Sequence, residues 1–142
     1  MKKINVGRVL LGGLVAGLVL NIGEFLLNGV ILAKDMQADF ERLKLQEPGT
    51  TFYVNVTLAT FVLGIVIVYL YAVIRPQFGA GARTAVCAGL IAWFFAYIYP
   101  GVIYGSMGLF SLKPLLIGLV WGLIEYAVGA VAGASLYKES EA

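Results

Sequence analysis

Histidine is absent from this sequence, and cysteine occurs once, at Cys87. Those two scarcities exclude a disulfide within the chain, zinc centres built from His and Cys, histidine-ligated haem and acid–base catalysis by imidazole. No metal or cofactor is expected, and an enzyme is the least expected class. Charge is scarce too. Only 13% of residues are Asp, Glu, Lys or Arg, and their sum leaves a net charge of +2. A balance that small, with its basic residues scattered, does not make the electrostatic footprint of a nucleic-acid binder, so no nucleic-acid partner is expected. Proline is rare, at 4 residues, whereas glycine reaches 18. Most of those glycines fall inside apolar runs. They would weaken a soluble helix there, but in a membrane small residues let helices approach closely.

Apolar residues make up 61% of the chain and the mean hydropathy is +0.91, outside the range of ordinary soluble domains. A spanning helix needs about 20 mostly apolar residues. Four stretches qualify, at about 9–33, 54–74, 84–104 and 115–137, and none contains Lys or Arg. The fold expected is therefore all-α, an antiparallel bundle of four transmembrane helices forming one membrane domain over 1–142. Met1-Lys2-Lys3 before an apolar run could open a secretory signal. The run continues past a signal core of about 7 to 15 residues, and no small-x-small cleavage site follows Val19-Leu20, so the first span is expected to be retained. Lys2, Lys3, Arg8, Arg75, Arg83 and Lys138 flank one side, against Lys34, Arg42, Lys44 and Lys113 on the other. The positive-inside rule then puts both termini in the cytoplasm, in a multi-pass protein of the cell (inner) membrane. The polar connector 34–52 is the one long connection. Met36, Phe40 and Leu43 fall on one helical face of it, so it either extends the first helix or lies on the membrane surface before Pro48-Gly49 turns the chain. It reads as a solvated amphipathic connector or as a partner's docking site. The Phe78 to Ala82 turn has Gly-x-Gly without a phosphate-binding context and reads as a linker, and the sequon Asn55-Val56-Thr57 at a span entrance reads as accidental.

Ionisable residues inside spans are costly, and Glu24 and Glu125 are the two here. On the first helix Gly13, Gly17, Asn21, Glu24 and Asn28 share a face; on the last, Gly118, Gly122, Glu125, Gly129 and Gly133 do the same. Gapless alignment sets Gly17-Leu18-Val19 on Gly118-Leu119-Val120, Glu24 on Glu125 and Val30 on Val131. If this is an internal repeat, the two helices run in opposite directions, an inverted relation. Both carboxylates fall within roughly 5 Å of the midplane by helical rise. The motifs Gly13-x-x-x-Gly17 and Gly118-x-x-x-Gly122 are expected to pack the two faces together or to mediate dimer contacts. With no intramembrane countercharge, the pair can share a proton, bind a cation through oxygens, or hydrogen-bond to Asn21, Asn28 or a tyrosine. Either outcome is open: a coupling site for transport, or a protonated Glu acting as packing glue.

On the third helix Trp93, Tyr97 and Tyr104 share a face, and Pro100-Gly101 predicts a kink. The rings are read as interfacial belts, with Phe52, Tyr53 and Phe110 at the outer boundary and Tyr69, Tyr71, Phe78 and Tyr137 at the inner. Alternatively Trp93 and Tyr97 line a cavity. The run Gly12-Gly13-Leu14-Val15-Ala16-Gly17-Leu18-Val19-Leu20-Asn21-Ile22-Gly23-Glu24-Phe25 resembles the opening of small, uncharacterised bacterial four-helix membrane proteins, a resemblance covering the first span that implies no activity. In outline the chain is also similar to small multidrug resistance transporters, from which it departs by its long first loop, its second Glu in the last helix and the lack of a matching local motif. Two functions are carried forward. One is a proton- or cation-linked transporter or channel for a small solute. The other is a non-catalytic subunit or scaffold of a larger membrane assembly. Besides the lipid bilayer, the expected partner is a second copy of the chain or a larger membrane complex, because so small a chain encloses little cavity alone.

Overall fold

Five helices make up the regular structure of residues 3–139, which the computed structural model describes, and no strand occurs among them. They are α1 (Val6–Ile31), α2 (Ala33–Arg42), α3 (Thr50–Phe78), α4 (Ala82–Ser106) and α5 (Leu112–Ser135). Of these, α1, α3, α4 and α5 are long and apolar enough to cross a membrane. Each runs a few residues beyond its predicted start, because polar residues such as Asn5 and Ser111 occupy N-cap positions outside the apolar stretch. Asn5 Oδ1 accepts from the Arg8 amide at 3.1 Å. At the other end of α3, Pro76 sits in the final turn and Gly79, at φ 85°, takes the chain out of the helix.

Glycine decides which helix meets which. Gly13 and Gly17 of α1 lie against Ile65 and Phe61 of α3, and Gly64 faces them so closely that any Cβ would strike the α1 backbone at Gly13 and Gly17. The neighbouring stripe of α1 packs on α5: Gly12 against Gly133, and Ala16 and Leu20 against Gly129. Gly89 of α4 rests on the α5 backbone at Tyr126. In each pair residue numbers rise on one helix as they fall on the other, so the contacting helices run antiparallel. The expectation that Gly13-x-x-x-Gly17 would meet Gly118-x-x-x-Gly122 is corrected here. The first motif packs on α3, while the second faces Tyr97 of α4. The α1–α5 contact uses the stripe one residue earlier on α1, where Ala16 and Leu20 are wholly buried.

Large side chains point the other way. Leu10, Leu14, Leu18, Ile22 and Phe25 on α1, and Leu58, Val62, Val66 and Val73 on α3, are exposed along single faces. Small residues inside and large apolar residues outside reverse the soluble arrangement and demand apolar surroundings.

Two helices contain π turns. In α4 the turn at Phe94–Ile98 immediately precedes Pro100, whose ring crowds the carbonyl four residues back and which has no N–H to give it. The interruption predicted at Pro100-Gly101 thus takes the form of a widened turn just before it. In α1 the π turn Leu27–Ile31 separates the span from α2. Most of the connector 34–52 is exposed, but Asp35, Asp39 and Arg42 of α2 tie it to the α4–α5 turn and the start of α5. Of the inner aromatic belt, Tyr69 and Phe78 are exposed, whereas Tyr71 and Tyr137 are corrected to core residues, buried and meeting edge to face with centroids 5.9 Å apart.

Candidate functional site

A cleft of about 620 Å³ lies between α1, α4 and α5 beneath α2. One end of it is polar. Glu24 Oε1 accepts from the Tyr97 hydroxyl at 2.5 Å, and Oε2 accepts from Asn28 Nδ2 at 2.7 Å. Asn28 stands one turn beyond Glu24 and also donates to its backbone carbonyl at 3.1 Å. Above this point the wall is apolar, built from Leu27, Leu32, Met36, Phe110, Leu115 and Leu119. A largely apolar recess of this size with a few convergent polar groups is the usual form of a small-molecule site.

The glycines of α5 explain how Tyr97 reaches α1. Its ring lies flat on Gly122, where a Cβ would come within 2.6 Å of Cε2, and passes Gly118 at ordinary contact distance. Tyr126 meets the same ring edge to face, at 5.6 Å between centroids. The motif Gly118-x-x-x-Gly122 is therefore a seat for an aromatic ring rather than a helix-dimer surface within this fold.

Glu125 lies behind the cleft, only 7% exposed. Its carboxyl rests against Gly23, where a Cβ would fall 2.5 Å from Cδ. The group facing it is the buried indole N–H of Trp121, one turn earlier on α5, in a contact looser than a well-formed hydrogen bond. The two carboxylates are thus brought to the same level of α1, Glu24 from the helix itself and Glu125 beside the preceding residue, without bonding to each other. The Lys and Arg residues of the four long helices lie in their terminal turns, so none of them is placed beside either Glu.

Other predicted positions lie elsewhere. Asn21 turns toward α3, donating to Gly17 O at 2.9 Å and Thr57 O at 3.4 Å, and does not bond either carboxylate. Trp93 is not among the residues around the cleft; its indole N–H donates to Leu119 O at 3.0 Å and ties α4 to α5. Gly129 packs against Leu20. Among the described residues no three of His, Cys, Asp and Glu come together as a metal-binding group.

Several participants escaped the sequence reading. Gly23 carries no motif of its own, yet it makes room for Glu125. Asp39, Arg42 and Ser111 gave no signal beyond ordinary connector polarity, although Ser111 before Leu112-Lys113-Pro114 has the form of a helix start. Comparison with protein-family models, with curated proteins and with solved structures gives no match to this chain.

Proposed function

We propose that this protein is a proton- or cation-linked transporter or channel for a small solute, a four-helix antiparallel bundle in the inner membrane with both termini in the cytoplasm. The observation that carries the reading is Glu24, held by Tyr97 and Asn28 at the polar end of an otherwise apolar cleft, with the buried Glu125 carboxyl, faced by the Trp121 indole, at the same level of α1. Two carboxylates held at the same level of α1, with the Lys and Arg residues of the long helices confined to the terminal turns, repel each other when both carry charge. A proton or cation arriving at Glu24 changes the charge that Glu125 experiences, and a solute in the cleft competes for the same carboxylate. That competition is the elementary requirement for coupling.

Asn21 stands at the edge of this scheme, supporting α1 against α3, while Asn28 acts directly on Glu24. The scaffold alternative draws less support, because the stripes through Gly12, Gly13, Gly17, Gly129 and Gly133 are filled from within the chain. Reconstituted protein should conduct or exchange protons or monovalent cations above empty liposomes, with flux strongly reduced in Glu24→Gln and Glu125→Gln variants that keep their helicity. Equal flux in all three, no greater than in empty liposomes, would sink the transport reading.

A further inference from the structure

One helix contributes to the cleft without belonging to any span. α2 supplies Met36 to its wall, and Leu32, the residue just before the helix, adds to it. The same helix grips the α4–α5 turn through a polar cluster centred on the buried Asp39, with Arg42 and Ser111 at the exposed rim, that the transport reading does not use. Asp39, only 3% exposed, accepts from the Ser111 amide at 3.0 Å and the Ser111 hydroxyl at 2.6 Å. Ser111 is the N-cap of α5, so the carboxylate sits where that helix presents its free N–H groups and the positive end of its dipole. Arg42, one turn along and paired with Asp39 at 3.0 Å, donates to Gly108 O at 3.0 Å and Leu109 O at 3.1 Å, just past the carbonyl end of α4. One ion pair thus answers both helix ends, negative charge at the N-terminus of α5 and positive charge at the C-terminus of α4. Lys113 to Asp35, at 3.1 Å, closes the edge.

The joints on either side of α2 are weak. On one side is the π turn Leu27–Ile31, and on the other a non-helical stretch from Lys44 to Gly49, where Lys44 takes a left-handed φ of 54° that glycine would adopt more readily. A short helix between two such joints, whose Met36 borders the apolar recess and whose Asp39, one turn on along the same face, makes the polar contacts, has the construction of a hinged cover.

We infer that α2 is the lid of the Glu24 cleft and that Asp39, Arg42 and Ser111 are its latch, positioning Leu32 and Met36 over the recess. The inference rests on reading the cleft as a ligand site, but its test does not need transport. In a Cys87→Ser background, Ala96→Cys places a thiol on the cleft wall. Its reaction with a hydrophilic maleimide, measured in nanodiscs, reports how often the lid opens. Asp39→Asn should speed labelling about tenfold, as expected for a lost buried charge-assisted contact. Asp35→Asn, at the exposed edge, should speed it about twofold. Circular dichroism and gel filtration should be unchanged in both. Equal labelling rates in the parent and in folded Asp39→Asn would overturn the lid. If Asp39→Asn does not fold, Asp35→Asn combined with Lys113→Ala decides, and an unchanged rate there overturns it. Rates that respond to the latch while no solute or ion flux is found would keep the lid and reject the transport reading.

Discussion

At the scale of single residues, the site depends on where a Cβ is missing. Gly122 and Gly118 lie one turn apart on α5 and read alike in the sequence, yet the Tyr97 ring crowds only the first. Gly122→Ala should therefore push the ring off its seat, weaken its bond to Glu24 and destabilise the protein by about 1–3 kcal/mol, as overpacking does. Gly118→Ala, whose Cβ would meet Tyr97 at an ordinary 3.5 Å, should stay within about 0.5 kcal/mol of the parent. Thermal unfolding of the two variants in detergent compares them directly, and equal losses would refute the assignment. Asp39 carries a pH dependence of definite sign. Burial opposes its ionisation, but the Ser111 hydroxyl and amide and the Arg42 guanidinium outweigh burial and hold the carboxyl below its ordinary value of 3.8. A depressed folded pKa adds stability that is present above the ordinary value and lost as pH falls through the depressed one. The charged groups around it are Arg42 on its own helix and, at the edge of the same interface, the Asp35 and Lys113 pair. Stability measured from pH 6 downward should hold to about pH 4 and then fall. In Asp39→Asn this acid-dependent step should be missing.

At the scale of elements, packing between helices follows small residues, and the partner of each glycine stripe is set by its rotation about the helix axis. The stripes Gly13/Gly17 and Gly12/Ala16 are adjacent in sequence but about 100° apart on α1, so they serve two different neighbours. Gly64 is the tightest point of the α1–α3 pair because its missing Cβ is replaced by backbone, which cannot move aside as a side chain can. Gly64→Ala should cost about 3 kcal/mol or more. Gly101→Ala in α4, with open space around it, should be neutral or should stabilise the helix by up to about 1 kcal/mol. Denaturation in mixed micelles ranks the two, and a mild effect at Gly64 would mean that α1 and α3 are less closely packed than described. The predicted kink and the observed π turn in α4 have the same origin in Pro100. A residue without an N–H breaks the ladder, and the preceding turn widens to absorb the mismatch.

At the scale of the whole molecule, the four helices long enough to cross a membrane would, on the proposed topology, return the chain to the side on which it began. Cysteines introduced at Lys3 and Lys138, in a Cys87→Ser background, should react with an impermeant thiol reagent from one face of sealed vesicles, and a cysteine at Lys44 from the other. Labelling of Lys3→Cys and Lys138→Cys from opposite faces would require an odd number of crossings. The pairing of Lys113 with Asp35 and of Arg42 with the α4–α5 turn is consistent with this plan, because it brings together residues that the crossing order puts on one side.

The sequence alone determined the helices and their apolar character, because span length and composition are local properties that any bilayer-sized run of apolar residues satisfies. It also picked out Glu24 and Glu125, since a carboxylate in an apolar run stands out without reference to any neighbour. The tertiary structure decided which faces meet. Gly13 and Gly17 turned to α3, Asn21 followed them, and Tyr97 rather than Asn21 became the partner of Glu24 beside Asn28. The 34–52 connector shows the same division. Its charges are visible in the sequence, but the match of Asp39 and Arg42 to two helix ends about 70 residues away exists only once the α4–α5 turn is in place, because hydrogen bonds depend on direction and distance that composition does not contain.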